Sequence, residues 1–253
     1  MKKVLLLLLG GVFLMTAITG CSNTPNKKSK EEIENLFSDF TGMFPMLDLD
    51  FLYNKELTES IEEDEVGLWQ ISSYLYTADN DITSIGINLS FDIQKKECYG
   101  NLYITKTVEG HEVETEYPVS YTNKQVVLIG DSVNIRVKES LEEFKSLFEL
   151  IELDEEYLNN LKSTYHFYNS EVPIYGVNYS VDSNDKNIKA IKAKYPNLIL
   201  NSDDIKIMLE GNGMLWENNT SQTIRIFFDD NEINWFTARM SFIKTLKNND
   251  SVN

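Results

Sequence analysis

Ile85-Gly86-Ile87-Asn88-Leu89-Ser90-Phe91-Asp92 alternates apolar with small or polar side chains without a break. A period of two puts Ile85, Ile87, Leu89 and Phe91 on one face of an extended strand, with Asn88, Ser90 and Asp92 on the other. The same period precedes it, where Trp69, Ile71, Ser73 and Leu75 alternate with Gln70, Ser72 and Tyr74. Asp79-Asn80-Asp81 gives a turn between the two runs. Residues 98–108 and 112–121 read as two further strands joined by Glu109-Gly110, a connection of hairpin length. Four strands with such short links must form an antiparallel meander, because parallel neighbours need long crossovers.

On either side of the meander the period changes. Ser29 and Glu32 have capping-box spacing, and Ile33, Leu36, Phe37, Phe40 and Met43 follow at helical intervals until Pro45 stops the run. A short second helix is expected over 50–59. After the meander, Ser140 and Glu143 repeat the capping-box spacing, and Leu141, Phe144, Leu147, Phe148 and Ile151 form a stripe. Asp154 can cap a following helix carrying Tyr157, Leu158, Leu161 and Tyr165. A strand over 172–181, a helix over 185–194 and strands over 204–210, 223–228 and 233–242 complete the pattern. The fold class is α+β: an antiparallel sheet, meander plus C-terminal strands, packed with a few helices. A body over 30–247 is expected. The helical stretch 139–168 either divides it into two sheet halves or lets all strands join one sheet, and local pattern leaves both open.

The chain begins with Lys2 and Lys3, a leucine-rich stretch from Val4 to Met15, and Thr16-Ala17-Ile18-Thr19-Gly20-Cys21. A charged start, an apolar run and a small-residue site are the parts of a cleaved export signal. A cysteine directly after Gly20 makes it a bacterial lipoprotein signal, with residues 1–20 removed between Gly20 and Cys21. The Cys21 thiol then carries a diacylglyceryl group bearing acyl chains such as palmitate. Residues 21–29 read as a polar tether. The expected location is the extracytoplasmic face of a cell membrane, with the bilayer as first partner through acylated Cys21. The formal charge of the 253-residue chain is −17, and loss of Lys2 and Lys3 takes it to −19. Such a surface disfavours nucleic acid as a partner. Cys98 is the only other cysteine, so neither an internal disulfide nor a thiolate metal cluster is expected.

A set of strings follows in order along the chain: Met43-Phe44-Pro45 and Asp50-Phe51-Leu52-Tyr53-Asn54-Lys55-Glu56, then Gly67-Leu68-Trp69-Gln70-Ile71-Ser72 and Tyr117-Pro118-Val119. In the second half come Glu171-Val172-Pro173-Ile174-Tyr175, Tyr179, Asn184-Asp185, Lys194-Tyr195 and Leu209-Glu210-Gly211-Asn212-Gly213. In this order they resemble strings of the staphylococcal tandem lipoproteins, also called conserved staphylococcal antigens. The resemblance implies a lipid-anchored α+β protein of a Gram-positive bacterium with no cofactor and no established enzymatic activity. It also implies innate immune stimulation through the lipid, promotion of uptake into host cells, and a host protein or receptor as partner. The acidic charge departs from the lysine-rich members of that family.

Few residues stand in patterns that support chemistry. His111 at a hairpin turn and His166, expected at a helix end, form no two-histidine metal motif. The Asp203-Asp204 and Asp229-Asp230 pairs read as turn or cap residues, since neighbours on a strand point to opposite faces. Glu62-Glu63-Asp64-Glu65 lacks the alternating ligands of a calcium loop. Gly211-Asn212-Gly213 lacks the lysine and hydroxyl of a phosphate loop. The expected function is interaction rather than catalysis. A solute- or ligand-binding lipoprotein of the envelope is the alternative, and an envelope enzyme ranks third.

Overall fold

The computed structural model describes residues 28–45, 49–54, 61–62, 65–77, 82–130, 134–195, 204–213, 220–229 and 234–246. The leader with its Gly20–Cys21 cleavage site lies outside these, as does most of the tether.

Among the described residues are ten strands and four α-helices. Helix α1 (Lys30–Thr41) opens on Ser29 with both halves of the capping box formed: Ser29 Oγ accepts from Glu32 N–H at 3.2 Å, and Glu32 Oε2 accepts from Ser29 N–H at 2.7 Å. Ile33, Phe37 and Phe40 are its buried face. Of the helix expected over 50–59, Asp50–Tyr53 forms a 3-10 turn, and 55–59 lie outside the described residues. The meander follows as β1 (Glu65–Tyr76), β2 (Ile82–Asp92), β3 (Glu97–Val108) and β4 (His111–Thr122). A short strand, β5 (Gln125–Leu128), then pairs with β4. Helices α2 (Ile135–Leu150) and α3 (Glu155–Asn160) come next, then β6 (Lys162–Asn169), β7 (Ile174–Asp182) and α4 (Lys186–Lys194). The chain closes with β8 (Asp204–Asn212), β9 (Thr220–Phe227) and β10 (Trp235–Leu246).

All ten strands join one antiparallel sheet in the order β5-β4-β3-β2-β1-β10-β9-β8-β7-β6. The two sheet halves are therefore continuous, and β1 with β10 is the seam: a twelve-residue register from Glu65↔Leu246 to Tyr76↔Trp235. Inward side chains run across the seam in rows. Trp69 lies opposite Phe91 on one side and Phe242 on the other, its ring 4.7 Å from that of Phe242. Further along, Ile226, Ile207 and Tyr179 continue one such row through β9, β8 and β7. Helix α1 packs on β6 and β7, and α2 packs on β2 and α4, so the helices and this face share one apolar core.

Two expectations are corrected. Helix α2 starts at Ile135, not Ser140; Asn134 is its cap, with Oδ1 accepting from Arg136 N–H at 3.0 Å. Ser140 and Glu143 have the right spacing but sit inside a helix already begun. The helix capped by Asp154 ends at Asn160, so Tyr165 and His166 lie on β6. Leu161 turns extended there, and the aromatic, β-favouring run Tyr165-His166-Phe167-Tyr168 completes the edge of β7 instead of prolonging the helix. Pro118 lies on β4, which has neighbours on both sides. Its carbonyl accepts from Ile129 N–H, just beyond the end of the β5 ladder, and N–H and C=O of one extended residue point the same way. The donor that proline lacks would have faced a position where no strand continues.

Candidate functional site

The outward face of the sheet carries a concavity with a mixed polar and aromatic lining. Among the described residues no helix covers this face, and its central side chains are half-exposed. Register places Asn88, Ser72, Arg239 and Thr223 in one cross-strand row over β2, β1, β10 and β9. Ser90, Gln70, Ser241 and Ser221 form the next row. The small hydroxyl side chains leave a hollow of about 480 Å³ whose walls include Gln70, Tyr74, Asn88 and Arg239.

Beside the hollow is a band of aromatic rings. Tyr103, Tyr74, Tyr76 and Trp235 follow one another with ring centroids 6.3, 6.1 and 4.0 Å apart, and Tyr76 stacks on Trp235 at 19°. Tyr74 lies across Gly86, where a Cβ would come within 2.0 Å of its ring; only a glycine lets the ring lie down on β2. Its hydroxyl donates to Asn88 Oδ1 at 3.0 Å, which fixes both side chains. Burial holds the Tyr74 and Tyr76 hydroxyls above the ordinary phenol pKa, so both stay protonated donors. No sequence motif announced this arrangement. The polar half of the 85–92 alternation was the available signal, and it reads equally as a solvated face.

The residues considered for chemistry fall elsewhere. Cys98 is a buried strand residue opposite Phe91, and burial pushes its thiol up to about 12. His111 opens β4 and His166 sits on β6, toward opposite ends of the strand order, both exposed. Asp229 is buried and clamps the turn before β10, its Oδ2 accepting from Asn234 N–H at 2.7 Å and from Asn234 Nδ2 at 2.9 Å. Asp203 and Asp230 lie outside the described residues, as do Glu63 and Asp64 of the acidic run. The lipidation residue Cys21 and the cleavage residue Gly20 lie outside them too. The described chain starts at Lys28, whose Nζ stands 5.2 Å over the Tyr168 ring of β6. The seven residues from Cys21 to Lys28 can span at most roughly 25 Å.

Several of the strings that carried the family resemblance meet in space. Tyr175 of β7 lies on Gly211 of β8, and Gly213 N–H donates to the Pro173 carbonyl at 2.8 Å. The Tyr179 hydroxyl donates to Glu34 of α1, which also pairs with Lys30 at 3.0 Å.

A model of the Csa1 family matches residues 29–245, from the cap of α1 to the penultimate residue of β10. Relatives carry the printed name "uncharacterized lipoprotein". One from Staphylococcus aureus strain USA300 is 29% identical over 227 residues, covering 85% of this chain and 86% of its own length. One from S. aureus strain N315 is 31% identical over 217 residues, covering 81% of each chain. A third, from Staphylococcus epidermidis, is 26% identical over 226 residues and covers 85% of each.

Proposed function

The chain belongs to the Csa1 family, and from that premise we propose that it is a surface lipoprotein anchored through Cys21, acting by contact rather than by catalysis. The observation that carries this reading is the run Lys2–Cys21, a lipoprotein leader at the head of a chain whose relatives are named lipoproteins. Processing forms a thioether between Cys21 Sγ and the diacylglyceryl carbon of a membrane phospholipid, whose C–O bond to the phosphorylated headgroup breaks, the headgroup phosphate leaving with the thiol proton. Water then cleaves the Gly20–Cys21 peptide bond. Each buried methylene of the acyl chains contributes about 0.8 kcal/mol, so two chains anchor stably. Among the described residues no helix is long and apolar enough to cross a membrane, which leaves the anchoring to the lipid in this reading.

The short connection to Lys28 would hold the body on the outer face of the membrane with α1 and β6 nearest the anchor. There the lipid is open to host lipopeptide receptors, and the folded body to a host protein whose engagement promotes uptake. The wholly antiparallel sheet supports this over a two-lobed solute receptor, which is built of parallel βα units.

The test is Cys21→Ala in the full chain expressed in a Gram-positive host. The expected result is loss of the protein from the membrane fraction, either released or left with its leader, together with loss of lipopeptide-receptor stimulation. A Cys21→Ala protein that is still cleaved after Gly20, acylated and membrane-bound would overturn the anchor. Equal stimulation by both forms would overturn the lipid as the signal.

A further inference from the structure

We infer that the hollow on the outward sheet face is a saccharide-binding site, taking sugars that carry an exocyclic carbonyl oxygen. A sugar ring has an apolar side of C–H bonds and a rim of hydroxyl groups. Recognition therefore asks for a flat aromatic surface next to a cluster of free donors and acceptors. The C–H hydrogens carry partial positive charge and sit well on the electron-rich face of an aromatic ring. The Tyr74 ring, which lines the hollow and is held over Gly86, is such a surface, and Tyr76 and Trp235 stand beside it stacked face to face.

The adjoining donors are unspent. Gln70, Ser72, Arg239 and Ser241 make no side-chain hydrogen bond among the described residues, and Asn88 uses only its Oδ1. Hydroxyl residues elsewhere on the sheet behave differently: Ser73 donates to the Thr237 carbonyl at 2.7 Å and Ser120 to the Cys98 carbonyl at 2.8 Å. Of the two arginines on this face, Arg225 is paired with Glu210 at 3.3 Å, while Arg239 has no carboxylate partner among the described residues. A guanidinium free at the edge of an amide- and hydroxyl-lined hollow suits a carbonyl or carboxylate oxygen on the sugar. The formal charge of −17 repels polyanions, which favours a sugar chain carrying few charges over a polyphosphate. A hollow of about 480 Å³ is within the size range of small-molecule sites. The inference does not depend on lipid anchoring.

The test is titration of the full chain in detergent with three trisaccharides: N-acetylglucosamine trimer, galacturonic acid trimer and unsubstituted glucose trimer. Intrinsic tryptophan fluorescence and thermal shift report binding. The N-acetyl or the uronic trimer should bind at millimolar concentration or better, and the one that binds identifies the carbonyl source as amide or carboxylate. Arg239→Gln should weaken that trimer about tenfold or more, the loss of one charge-assisted hydrogen bond. Ser241→Tyr, which fills the hollow and removes no described contact, should abolish it with the melting temperature of the free protein retained. Absence of binding by all three trimers would overturn the site. So would binding that both variants leave unchanged. Equal affinity for the glucose trimer would overturn the role given to Arg239.

Discussion

Cys98 shows what burial does to a residue that sequence alone could only rank. Its flanks, Glu97 and Tyr99, offered no cation to stabilise a thiolate, and that much was legible. The structure adds the cause: the side chain sits in the sheet core opposite Phe91, and removal from water raises the thiol to about 12. A free thiol titrates near 8.5. Native protein should therefore resist iodoacetamide at pH 8 and react at once in denaturant. Rapid modification of the native Cys21→Ala form at pH 8 would contradict the buried placement. The caps divide in a similar way. Ser29 was readable because the tether before it is polar and nothing competes for the helix start. Ser140 misled because its spacing recurs inside a helix already capped by Asn134. Spacing identifies a capping box only where the helix has not yet begun. The binding hollow was not legible at this scale, because Gln70, Ser72, Arg239 and Ser241 come from strands far apart in sequence and only register joins them.

At the scale of elements, the strands of the meander followed from period two, while β5 and β6 did not. Strand β5 is four residues long, and its signal was the turn rather than the run: Asn123 and Lys124 have φ of 50° and 61°, as a two-residue hairpin of type I′ requires. Strand β6 was masked by Leu158, Leu161 and Tyr165, whose spacing imitates a helix face until the pairing partner on β7 is known. The β7–β8 pairing gives an element-scale prediction. A Cβ on Gly211 would lie 2.3 Å from the Tyr175 ring, which is itself buried, with its hydroxyl accepting from Gln222 Nε2 at 2.9 Å. Gln222 Nε2 also donates to the Leu36 carbonyl, so the same cluster ties α1 to the sheet. Gly211→Ala should cost about 1–3 kcal/mol through overpacking. Thermal unfolding checks it, and a melting temperature equal to or above that of the parent would show that the Tyr175 ring is not confined.

For the whole molecule, the decisive contact is the one least visible in the chain, the pairing of β1 with β10, the first strand with the last. Short turns specify their own hairpins, but a pairing this non-local is set by shared burial. Trp69, Ile71 and Leu75 on one strand and Phe242, Met240 and Phe236 on the other form one inward row along the seam. Two independent meanders would each expose a long apolar edge strand there, a hazard that the seam removes. The sheet should therefore unfold as a unit. Trp69→Ala deletes the largest buried side chain at the seam and should cost about 3–5 kcal/mol. The loss should appear on both sides of it. In hydrogen exchange under mildly denaturing conditions, amides of β2 and β3 should lose protection together with those of β7 and β8, since both depend on the same core. If β7 and β8 kept their protection while β2 and β3 lost theirs, the molecule would be two cooperative units that merely touch.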